Sequence, residues 1–74
     1  MNDQQPKIAR EHALGDPDHV EFYGGYTISV WQRRGGFYAE IDNGDGDSGA
    51  AQGLFEDIAS AVEECQRMID HPYD

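Results

Sequence analysis

The side chains in this sequence that could do chemistry are carboxylates, three histidines and one cysteine. The densest group is Asp42-Asn43-Gly44-Asp45-Gly46-Asp47, with Glu56 further along. Asp45, Asp47 and Glu56 match positions 1, 3 and 12 of a calcium-binding loop, where oxygen ligands surround a hard cation. Position 5, however, is Gly49, which has no side-chain oxygen, and position 6 is Ala50 where a sharp turn needs glycine. The segment ahead reads as a strand rather than a helix. A solvated acidic turn fits these residues better, and no metal site is expected. His12, His19 and His71 form no ligand pair at metal spacing. Cys65 falls in an apolar helical stripe, where a thiol serves as a small hydrophobe. A nucleophilic cysteine needs a base beside it, and no spacing supplies one. With no catalytic constellation and no cofactor motif, the sequence reads as a non-enzyme.

Charge is the more informative feature. Glu40, Asp42, Asp45, Asp47, Glu56, Asp57, Glu63 and Glu64 fall in one span that holds no Lys or Arg. Such concentration exceeds what solubility requires, and its self-repulsion costs stability. A basic partner surface would relieve it. These eight residues form the expected partner-binding set. Trp31, next to Tyr38 in the expected register and close to Arg33 and Arg34, is a candidate anchor. The alternative is that an N-terminal helix folds over the pair and buries it. Over the whole chain of 74 residues, 15 acidic side chains face five basic ones, a net charge of -10. With a pI near 4.3, direct binding of nucleic acid or of an anionic membrane is excluded as a function class.

The elements that must position these residues follow from periodicity. A chain of this length is one small domain with a thin core. Leu, Ile, Val and Phe are sparse for a folded chain. Four Tyr, three Phe and one Trp offset this, since each aromatic buries a large area. Residues 1–6 are polar and expected to fray, and 7–14 could make two helical turns before the stop at Gly15-Asp16-Pro17-Asp18. From His19 the period becomes two, giving strands over 19–23, 26–32 and 37–42 separated by glycine turns. A two-residue loop at Arg34-Gly35 opposes Val30 to Ala39, Ile28 to Ile41 and Trp31 to Tyr38, which closes one apolar face on both strands at once. For the first hairpin, a two-residue Gly24-Gly25 loop puts Val20 and Phe22 on the Trp31 face, whereas a one-residue bulge puts them on the Ile28 face. Residues 43–53 read as a flexible acidic loop. Leu54, Ile58, Ala61, Val62, Cys65, Met68 and Ile69 then recur at helical spacing, and Pro72 ends the run. The expected fold is α+β: a short N-terminal helix, a three-stranded antiparallel meander, and a C-terminal helix packed on one sheet face. Without an apolar leader or a long apolar run, a cytoplasmic protein is expected, monomeric or weakly dimeric.

Two resemblances bear on function. Gly25–Val30, Gly36–Ile41 and Glu56–Glu63 look like the strand–strand–helix core of HicB-type antitoxins, over about residues 25–69. In place of that family's Pro-Asp-Leu-Pro-Gly-like stretch stands Asp42-Asn43-Gly44-Asp45-Gly46-Asp47, and no DNA-binding tail follows the helix. That likeness implies neutralisation of a basic toxin. In size, charge and compact α+β build, the chain also resembles the small acidic inhibitors of phages and mobile elements, including anti-CRISPR proteins. That likeness implies a protein that occludes the basic, nucleic-acid-binding surface of its partner with carboxylates in the place of phosphates. Carboxylates accept the same charge-assisted hydrogen bonds from Arg and Lys.

Overall fold

Alternation with period two requires strands, and the computed structural model forms them where the alternation lies. It describes residues 15–72, so the expected N-terminal helix and frayed start lie outside the described residues. Four strands, β1 (His19–Tyr23), β2 (Tyr26–Arg33), β3 (Gly36–Asp42) and β4 (Ser48–Ala50), precede one helix, α1 (Ile58–Asp70). The strands form one antiparallel sheet in the order β1-β2-β3-β4. The α+β class and the meander therefore stand, with one strand more than expected. Among the described residues, no helix is long and apolar enough to cross a membrane.

The β2–β3 register matches the pattern read from sequence: Ile28 lies opposite Ile41, Val30 opposite Ala39, Trp31 opposite Tyr38. In the first hairpin, Gly24 and Gly25 both take positive φ, 58° and 83°, as a two-residue hairpin turn demands. Val20 then pairs with Ser29 and Phe22 with Thr27. This register has no bulge, so Val20 and Phe22 share the face of Trp31 and point away from the helix.

The flexible loop expected over 43–53 is corrected. Asn43 organises a tight turn: its Oδ1 accepts from the N–H of Asp45 at 2.8 Å and of Asp47 at 3.2 Å, and its own N–H donates to the Asp47 carbonyl. The chain then runs back along β3 as β4. Ala51 donates to the Ala39 carbonyl at 3.0 Å, and Phe55 exchanges two backbone bonds with Phe37. Unpaired edge groups of β3 require partners, and this segment supplies them through the backbone alone. Ser48-Gly49-Ala50 carries no apolar alternation and so no strand signal of its own.

The core is the seam between the helix and one sheet face. Ile28, Val30, Ala39 and Ile41 meet Ala51 and the helical Ala61, Val62 and Cys65, all buried. Tyr23, Tyr26, Phe37, Phe55, Ile58, Met68 and Ile69 pack around them. The helical stripe begins at Ile58 rather than at Leu54. Leu54 is half-exposed and lies instead against Gly35 and Gly36 at the β2–β3 turn. There the backbone passes so close that a Cβ on Gly36 (φ 155°) would sit 2.7 Å from the Phe55 carbonyl oxygen. Gly36→Ala should therefore lower stability by roughly 1–3 kcal/mol, measured by urea unfolding, since the contact is backbone and cannot swing aside.

Candidate functional site

The eight carboxylates read from sequence as one patch occupy three places. Glu40 and Asp42 stand on β3 with their side chains on the face opposite the helix, in register with Ser29 and Thr27. Asp45 and Asp47 lie in the β3–β4 turn at one end of the sheet. Glu56 and Asp57 sit at the start of α1, near the opposite end, because Phe55 is pinned to Phe37 beside the β2–β3 turn. Glu63 and Glu64 follow one to two turns along the helix. The structure puts Glu63 and Glu64 on α1 and Glu56 and Asp57 at the approach to its N-terminus, and the sheet separates these four from Glu40 and Asp42.

Most of these carboxylates also hold the fold. Glu40 accepts from the Tyr38 hydroxyl at 2.7 Å, and Asp47 from the Tyr26 hydroxyl at 2.6 Å. Asp42 accepts the Gly44 N–H at 2.8 Å, which tightens the turn. Asp57 is the N-cap of α1: its backbone is extended and its Oδ1 accepts from the Ser60 N–H at 2.8 Å. That backbone hydrogen bond, reinforced by the helix end, holds the Asp57 carboxyl below its usual range. Glu64 accepts from Nε of Arg67 at 3.1 Å and also from its Nη2, which pulls the Glu64 carboxyl down in the same way. Asp45, Glu56 and Glu63 are exposed, and their carboxylates make no hydrogen bond or ion pair among the described residues. They are the members of the set most free to meet a partner, and Glu56 and Glu63 are the two beside the helix.

Trp31 does not present itself as an anchor. It is 6% exposed, and its indole N–H donates to the Gly15 carbonyl at 3.0 Å. Its ring leans on Tyr38 with centroids 5.9 Å apart. The exposed apolar side chains of that face are Val20 at 44% and Phe22 at 79%. Sequence reasoning missed them because the glycine turn left their face undecided.

Among the described residues, no three His, Cys, Asp or Glu side chains converge on a possible ion site. The Asp47 carboxylate is turned to the Tyr26 hydroxyl and the Asp45 backbone N–H to Asn43 within the β3–β4 turn, while Glu56 lies by the start of the helix. Cys65 is buried, and burial, with a smaller contribution from the charge of Glu64, pushes its thiol up to about 11. A shallow cleft of about 260 Å³ lies where the end of α1 meets the β3–β4 turn, lined by Tyr26, Asp47, Ser48, Arg67 and His71 among others. The chain matches no protein family, no curated protein and no solved structure.

Two outcomes follow. Asp57→Ala should lower the melting temperature at neutral pH, and the gap from the parent should close on acidification. The folded-state pKa of Asp57 lies below its unfolded value, so its contribution is complete above the ordinary carboxylate range, near 4, and is lost as pH falls through the lower folded value. A pH series of thermal melts checks this. Separately, Cys65 in the folded protein should react with iodoacetamide at pH 8 about 100-fold or more slowly than in urea, because thiolate is scarce and shielded.

Proposed function

We propose that this chain is a non-enzymatic acidic interaction protein, an inhibitor of the anti-CRISPR kind. It blocks a basic, nucleic-acid-binding surface of a partner by presenting carboxylates where that surface expects phosphates. The observation that carries this reading is the placement of Glu63 on the outer side of a rigid helix and of Glu56 just ahead of its N-cap, both exposed and unpartnered among the described residues, in a chain of net charge -10. A carboxylate that needs no rearrangement before contact keeps its charge available for a partner's Arg or Lys, and a helix fixes its spacing. The reading implies a cytoplasmic protein with a protein partner, no direct nucleic acid, no membrane and no cofactor.

A second reading, a HicB-like antitoxin, draws on the succession β2, β3, α1 and would require a basic toxin ribonuclease that co-purifies with the chain.

The test avoids Asp57, whose reversal would uncap the helix. The double variant Glu56→Lys with Glu63→Lys should keep the parent's circular dichroism and lose at least tenfold in capture of its partner from the native host. The parent's capture should fall steeply between low salt and about 0.5 M salt, where surface charges are screened. A folded double variant that captures the partner as well as the parent does, or a salt-insensitive complex, would refute the proposal.

A further inference from the structure

We infer that β1 is the docking edge, taking an extended basic segment of the partner as a fifth strand of the sheet. This rests on the acidic-partner reading and assigns it a surface. Among the described residues β1 is the outer strand of the sheet, paired on one side by β2. Natural sheets blunt such edges with charged side chains, Pro, a bulge or a short strand, and the one acidic charge on β1, Glu21, lies 3.0 Å from Nε2 of His19. His19-Val20-Glu21-Phe22-Tyr23 has no Lys or Pro, and its ladder with β2 runs without a bulge.

The side chains of the edge divide by face. Val20 and Phe22 project on the face away from α1 and are the exposed large apolar groups there. Glu21 and Tyr23 project on the helix side, where Tyr23 donates to Asp70 at 2.7 Å and so fixes a second carboxylate beside the edge. Asp16 and Asp18 stand just ahead of the strand, and no Lys or Arg occurs from residue 15 through 32. An added strand would place alternate residues against the two sets. One set should be apolar, against Val20 and Phe22. The other should be cationic, against Glu21 and Asp70. The occupant is thus a segment alternating apolar and basic residues, held by backbone bonds in the manner of strand addition. A second copy of this chain is the competing occupant. Antiparallel self-pairing centred on Glu21 opposes like charges, whereas pairing centred on Phe22 sets Glu21 against Tyr23, so a concentration-dependent dimer that protects residues 19–23 without peptide would overturn the assignment.

The test uses a synthetic peptide, Lys-Val-Lys-Thr-Lys-Val-Lys, and its counterpart with Glu in place of every Lys, each titrated into the ¹⁵N-labelled chain. The expected result is that the basic peptide perturbs the amides of residues 19–23 and protects them from exchange. The acidic peptide should leave them unchanged. Phe22→Asp, at an exposed position, should weaken the basic peptide at least tenfold, and Glu21→Lys should transfer preference to the acidic peptide. Perturbations confined to the outer side of α1 would overturn the edge assignment while leaving the acidic-partner reading intact, as would Phe22→Asp binding the peptide as well as the parent. Absence of binding at millimolar peptide would overturn the edge assignment too, and the capture experiment with Glu56→Lys and Glu63→Lys judges the broader reading independently.

Discussion

Ile28, Val30, Ala39 and Ile41 meet Ala61, Val62 and Cys65 across a single seam, and everything else in the molecule is arranged around that contact. A chain of this length has room for one such layer pair. Small residues make it work: Ala39 and Ala61 let the helix lie close to the sheet, and glycine at 49 faces the end of Met68. Among the described residues the helix covers one face of the sheet, and on the other face Val20 and Phe22 are exposed while Trp31 is buried. The seam also explains why β3 needed a neighbour. It lies beneath the helix at the centre of the core, and leaving its outer backbone groups unpaired there would be costly. The segment 48–55 supplies that pairing with hardly any side-chain signal of its own.

The negative charges serve two purposes, and the geometry separates them. Asp57 caps the helix, Asp42 tightens a turn, Asp47 and Glu40 accept from tyrosine hydroxyls, and Glu64 pairs with Arg67. Their negative charge still contributes to the field around the protein. What they lose is freedom to rearrange toward a partner. Glu63 on the helix and Glu56 just ahead of it keep that freedom, and acidic groups stand around β1 beside Val20 and Phe22. An interface that combines a hydrophobic anchor with surrounding charge gains affinity from the former and encounter rate from the latter. That division of labour makes the β1 edge and the outer helix complementary parts of one reading rather than rivals.

The α+β class, the β2–β3 register, the apolar stripe from Ile58 to Ile69 and the acidic character were all legible in the sequence. Periodicity and turn chemistry fix local structure, because side-chain direction follows chain position by rule in a strand or a helix. Charge is additive and needs no coordinates. Three things depended on the tertiary structure. The Gly24-Gly25 turn could take either register, and the fold chose the one that turns Phe22 outward, since glycine imposes no preference of its own. Ser48-Gly49-Ala50 became a strand because β3 required a backbone partner, a demand set by a distant element. The eight carboxylates, contiguous along the chain, were dispersed because a strand, a turn and a helix aim neighbouring stretches at different sides of the molecule. The sequence by itself determined that the surface would be acidic. Only the packing of helix on sheet decided which of its charges stabilise the fold and which face outward.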